Sequence, residues 1–274
     1  MPLEIAAVVV DPRTLPFCLA GALAAAAVDP DSRIEAYHPR LRPEARIMPT
    51  EEVLTAARRA ELEAAAGAQS AAMQAAFRAW AATAGPLAAR VRWQEEAVEA
   101  TESAVAARGG RADLVALVRP DDPEAHAALH AAIFETGRPL LLLPRDKAAA
   151  HFGRHLAIAW KADAPAEHAV AAARPWLRRA QRISVLMMGG SDGAPPLPAE
   201  LAPLLDGSTA KPTVLAVDAG ALSAGERLLQ AATTLGADGL VMGAYRHPRI
   251  MELILGGVTR EALRHAELPL FMMH

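Results

Sequence analysis

Short apolar runs alternate with longer helical stretches along the whole chain. Residues 5–10 (IAAVVV) read as a buried strand, and the Ala-rich stretch 15–28 as the helix after it. A weaker strand is expected at 33–37 and a long, mixed-charge helical stretch at 50–83. Strands follow at 91–98, 114–118 and 140–143, with helices between them ending near Ala107 and Phe134. The order then repeats: a strand at 155–160, a helix at 167–179 and a strand at 183–188. After the Gly- and Pro-rich GGSDGAPP come a short helical segment, a strand at 213–217 and a helix at 223–235. A strand at 240–242, a helix at 250–266 and a closing strand at 270–273 complete the chain. Near-continuous apolar strands separated by helices predict parallel sheet covered on both faces, an α/β doubly wound, Rossmann-like architecture.

Punctuation marks the repeat. Asp113 opens the fourth strand of the first half and Asp238 the matching strand of the second, while Pro139 starts LLLL and Pro269 starts LFMM. The interval is 26 positions in the first half and 31 in the second, so the first half is five residues shorter between its fourth and fifth strands. Two tandem domains are expected, 1–146 and 153–274, with a polar linker near 145–154. A length of 274 residues suits two cores of ordinary size better than one.

Composition narrows the function classes. An apolar content of 53% excludes wholesale disorder, and a net charge of -3 gives no electrostatic case for nucleic acid or an anionic membrane. No apolar run approaches the ~20 residues of a spanning helix, and the opening MPLEIAAVVV reads as a strand rather than a signal peptide. A cytoplasmic protein is the expectation. The single cysteine, Cys18, excludes an internal disulfide and reads as a small buried hydrophobe.

The stretch GADGLVMGAYRHPRIMELILGGVTREALRHAELPLFMM, 236–273, carries the chemical signal. A strand runs into Gly243, and Gly256-Gly257-Val258-Thr259 falls in the following helical stretch. Glycine lets backbone approach an anion, and free N–H groups at a helix start donate to it. The pattern resembles the universal stress protein family, whose nucleotide-binding members carry G-x-x-G, nine residues, then G-[S/T]. Gly243 and Gly256 hold the first and third glycine positions, Val258 and Thr259 match the residues after the motif, and the surrounding ADGLVMG and LRHAELPL are similar to the family frame. The likeness is strong over about 40 residues at the C-terminal end, moderate over the rest of the second half and architectural over the first. It implies a tandem member with an altered adenine-nucleotide site in the second half, formed around Lys161, Asp163, Met242, Gly243, Arg246, Gly256, Gly257, Val258 and Thr259, for ATP with Mg²⁺. Two positions depart. Arg246 replaces the second glycine, where it either obstructs the phosphate or offers a guanidinium to it. Gly257 replaces the hydroxyl residue, for which Thr259 is a partial substitute.

The first half has RPDDPEAHAALHAAIF at the corresponding place, without glycine and with Asp121 and Asp122, so phosphate binding is expected to be lost there. It keeps Asp11 after its first strand; the second half has Lys161 and Asp163 instead, with Lys161 either facing phosphate or simply solvated. GGSDG at 189–193 reads as a surface loop rather than a pyrophosphatase-type loop. His126 and His130 share a helical face without a metal-binding pattern. The four tryptophans, Trp80, Trp93, Trp160 and Trp176, read as core or domain-interface packing.

Three functions are compatible with these residues. One is a stress-response protein sensing a nucleotide without catalysis; another is a scaffold whose halves pair through the strands at 140–143 and 270–273, with a homodimer as a further option. The third is a weak ATPase, for which Asp163 and Glu252 are the carboxylate candidates.

Overall fold

The computed structural model describes residues 2–46, 55–149, 151–189, 195–218, 220–244 and 257–274. In the first half, β1 (Glu4–Val8), α1 (Leu15–Ala26), β2 (Arg33–Leu41), α2 (Ala56–Ala84), β3 (Val91–Val98), α3 (Thr101–Gly109), β4 (Leu114–Val118), α4 (Pro123–Phe134) and β5 (Leu140–Leu143) follow in order. The second half contains β6 (His155–Trp160), α5 (Ala164–Ala172), α6 (Arg174–Leu177), β7 (Arg182–Met188), β8 (Thr213–Val217), α7 (Ala224–Thr234), β9 (Gly239–Gly243), α8 (Val258–His265) and β10 (Leu270–Met273). No helix among the described residues is long and apolar enough to cross a membrane.

The ten strands of the described residues lie in one sheet, ordered β3-β2-β1-β4-β5-β10-β9-β6-β7-β8. Each half therefore places its strands third, second, first, fourth, fifth. Every neighbouring pair is parallel except β5 and β10, which meet antiparallel with Leu142 opposite Leu270 and Leu140 opposite Met272. β4 and β5 are buried at every position, which is why they read as unbroken apolar runs. Successive side chains feed opposite faces: Leu141, Leu143 and Phe271 join the core under α1, α2, α5 and α6, while Leu140, Leu142, Leu270 and Met272 join the core under α3, α4, α7 and α8. Both cores run across the seam between the halves. Trp176 locks one side of that seam. Its Nε1 donates to the Ala25 carbonyl at 2.9 Å, and its ring lies 5.2 Å from Phe271 and 5.9 Å from Phe152.

The two aspartates that mark the repeat do one job. Asp113 accepts the backbone N–H of Glu4, and Asp238 accepts those of Gly153, Arg154 and His155, so each carboxylate pins the start of its half's first strand. Cys18 is buried, with Sγ near the Val8 and Ala116 carbonyls; burial pushes its thiol up to about 12.

Several boundaries move for local reasons. β2 extends four residues beyond its expected end, because β3 pairs with it as far as Leu41. The expected helix at 167–179 is two helices: Pro175 lacks an N–H and interrupts the ladder, so α5 stops at Ala172 and α6 starts with the proline in its first turn. The long helix begins at Ala56, capped by the Thr55 hydroxyl accepting from the Arg58 N–H, and covers the sheet through Ala66, Met73 and Trp80 at seven-residue spacing. Of the expected helix at 250–266, α8 is the described part.

Gly243 ends β9 directly against the start of α5. A Cβ there would lie 2.8 Å from Ala166 N and from Pro165 C, both rigid backbone atoms. Gly243→Ala is therefore expected to cost about 1–3 kcal/mol in urea unfolding; an unchanged midpoint would contradict this packing.

His155 is buried with Nε2 2.9 Å from Ser184 Oγ. Burial lowers its pKa, and the neighbouring Arg182 charge adds to the effect. A histidine held neutral in the folded state stabilises the protein above the unfolded-state pKa of about 6.5, and that contribution is lost as pH falls below it. Stability should decline between pH 7 and 5.5, and less steeply in His155→Asn. Parallel pH profiles for the two proteins would refute the assignment.

Candidate functional site

In an open parallel sheet, ligands bind at the carboxyl ends of the strands where the strand order reverses. This chain has two such places, between β1 and β4 and between β6 and β9. They have opposite contents.

Between β1 and β4 only about 10 Å³ is left, the limit for one water molecule. Charged side chains fill the rest. Arg13 grips Asp11 through Nε at 3.1 Å and its terminal nitrogen at 2.8 Å. Arg145, from the segment after β5, reaches in to lie 3.6 Å from the same Asp11 oxygen, Oδ2, that the Arg13 terminal nitrogen holds, and pairs with Asp121. Burial alone would raise the Asp11 carboxyl; hydrogen bonds from Arg13 and the charges of Arg13 and Arg145 outweigh it and hold the group below its usual range. Asp122 is committed as well, since its Oδ1 accepts the Ala125 N–H at 2.9 Å and caps α4.

Between β6 and β9 a cavity of about 690 Å³ opens. Its walls come from the carboxyl ends of three strands: Ala159 and Trp160 of β6, Met187 and Met188 of β7, and Met242 and Gly243 of β9. Pro165 and Ala166 of α5, Leu228 of α7, Val258 and Thr259 of α8, and Pro198 and Glu200 from the β7–β8 connection add to them. The lining is mainly apolar, of the kind that accepts a planar ring, with polar groups toward the rim.

The structure brings most of the sequence-predicted residues together. Lys161, Asp163, Met242, Gly243, Val258 and Thr259 all line this cavity. Lys161 is largely exposed and lies 3.7 Å from Asp163. Asp163 caps α5, its Oδ1 accepting the Ala166 N–H at 3.2 Å. Gly257 is the N-cap of α8, in extended backbone and without a side-chain cap, and a Cβ there would meet nothing within 4 Å. Gly257 thus brings no capping side chain to the opening N–H groups of α8, and a serine would fit in its place. Arg246, Gly256 and Glu252 lie outside the described residues, as does most of GGSDG.

Met187, Met188, Pro198, Glu200 and Leu228 were not anticipated. A signal existed for the methionines: they end the strand beside β6, next to the reversal of strand order. Trp160 combines its expected burial with a place on the cavity wall. His126 and His130 are turned to separate acceptors, the Asp122 carbonyl and the Glu135 carboxylate.

No protein-family model matches the chain, and no curated protein sequence does. Solved structures do. A universal stress protein from Archaeoglobus fulgidus DSM 4304 superposes with a TM-score of 0.62 at 10% identity, covering 99% of this chain and 96% of that one. A protein provisionally assigned to the same family from Pseudomonas aeruginosa UCBPP-PA14 gives 0.54 at 14% identity, over 99% and 93%. A functionally unknown protein from Pseudomonas aeruginosa PAO1 gives 0.53 at 13%, over 99% and 92%. At these identities the likeness concerns the fold: over nearly its whole length, this chain has the fold of the universal stress proteins.

Proposed function

We propose that this chain is a fused two-domain protein of the universal stress type, acting in the stress response, whose second half binds an adenine nucleotide with Mg²⁺ and performs no chemistry on it. The observation that carries this reading is the cavity of about 690 Å³ at the β6–β9 reversal, set against about 10 Å³ at its counterpart. Trp160, Met187, Met188 and Met242 supply faces for a base, and the start of α8 supplies N–H groups for phosphate. Lys161 sits on the rim.

The donor set fits a nucleotide better than it fits hydrolysis. Of the two carboxylate candidates, Asp163 already caps α5, and no activated nucleophile stands beside the described lining. Function then consists of stabilising one conformation on binding. The filled first cleft favours a scaffold role for the first half, and for the whole chain if the second half takes no nucleotide.

Isothermal titration with ATP and Mg²⁺ is expected to give saturable heat, with a thermal shift of the whole chain and no phosphate release above background. Absence of both heat and shift at millimolar nucleotide would reject the sensor and leave the scaffold. Sustained turnover abolished by Asp163→Ala would reject the non-catalytic reading.

A further inference from the structure

Helix α8 has eight residues, too few to hold itself together in water. Its order must come from its neighbours. One side is packed on α7, where Gly225 permits an approach so close that a Cβ would lie 2.7 Å from Glu261 Cβ. Its carboxyl end is held by the other half of the molecule. Arg119, directly after β4, donates from one guanidinium nitrogen to the Arg264 carbonyl at 2.8 Å and to the Ala266 carbonyl at 3.1 Å. The Arg264 carbonyl belongs to the last helical turn, where carbonyls lack intrahelical partners and carry the negative end of the dipole, and Ala266 is the extended C-cap residue, so a guanidinium is a well-matched cap.

The antiparallel seam explains how a first-half residue arrives there. The strands of the two halves point in opposite directions, so the carboxyl ends of β4 and β5 lie on the same side of the sheet as the amino end of β10, one strand beyond, where α8 finishes. The opposite end of α8 contributes Val258 and Thr259 to the β6–β9 cavity. A second contact from the first half reaches the same cavity at the end of β9. Phe134 of α4 meets the His274 ring at 5.3 Å, and His274 Nδ1 lies 3.3 Å from the carbonyl of Ala244, another cavity residue.

From this geometry we infer that Arg119 is a positioning residue for the second half's ligand site: it orders α8 from its carboxyl end and thereby fixes the cavity wall formed by the helix's first turn. The inference rests on the nucleotide reading for its binding consequence and is independent of it for the ordering of α8. The first half, with its own cleft filled, is then a working part of the site and more than a cover for the seam.

Two measurements on the full chain separate these points. Amide hydrogen exchange without ligand is expected to show faster exchange across Val258–His265 in Arg119→Ala, with protection largely restored in Arg119→Lys. Arg40→Ala, which removes the 3.1 Å contact to Glu95 at the far β2–β3 edge, should leave α8 protection unchanged. MgATP titration, at a temperature where all variants are folded, should show about fivefold weaker binding for Arg119→Ala and no change for Arg40→Ala. Unchanged exchange in α8 overturns the positioning role. Faster exchange with unchanged affinity overturns its importance for the site. No binding by the parent protein overturns the nucleotide reading, while the exchange experiment still decides the role of Arg119.

Discussion

The antiparallel pairing of β5 with β10 is the contact on which the rest of the molecule depends. In an isolated half, a four-residue apolar strand would end the sheet with a row of unpaired N–H and C=O groups, an invitation to aggregate. Paired, LLLL and LFMM bury each other, and the two small sheets become one with a core on each face. The Trp176 bond to the Ala25 carbonyl fastens the helical layer over the same seam. The pairing also sets direction: strands of the two halves run oppositely, so the two crevices, each at the carboxyl ends of its strands, lie at opposite strand ends of the sheet.

That separation leaves the two crevices free to differ. The first is occupied by an ion cluster in which every described charge has a protein partner: Asp11 with Arg13 and Arg145, Asp121 with Arg145, Asp122 with the α4 backbone. An anionic ligand would have to displace these carboxylates and leave them partly desolvated, which is unfavourable. The second crevice has a mainly apolar lining and a helix start whose N-cap, Gly257, brings no capping side chain, an arrangement suited to a ligand with a flat ring and an anionic tail.

Much of this was legible in the chain because strands buried on both faces leave near-continuous apolar runs, and those at 114–118, 140–143, 155–160 and 270–273 are found at those positions. The partly exposed edge strands at 91–98, with Arg92, Gln94, Glu95 and Glu96, and 213–217 are found at theirs as well. Where local chemistry competed with pattern, the reading blurred. Pro175 divides a helix that composition alone makes continuous, and pairing to β3 extends β2 through Pro39, which no propensity favours. At the site, glycine spacing pointed to the β9–α8 end of the cavity, since backbone approach leaves a mark in sequence. The apolar wall left none that could be separated from core: Met187, Met188 and Leu228 are ordinary buried-type residues until the strand order places them at a reversal. Arg119 is harder still, because its partners are backbone carbonyls about 145 positions away.

The two ends of the strands obey different constraints. At the amino ends, Asp113 and Asp238 perform the same task, receiving the backbone N–H groups that begin β1 and β6. Changing either would loosen the first strand of its half, so the pin is tied to the fold itself. At the carboxyl ends, Asp11 with its two arginines and Trp160 with Lys161 and Asp163 occupy corresponding places and share almost no chemistry. The sheet requires only that these positions close the strands, and that latitude allows one half to fill its crevice and the other to keep one open. Arg119 belongs to both arrangements, since it borders the filled crevice and caps the helix whose other end lines the open one. Through α8, the closed half therefore bears on the geometry of the open one.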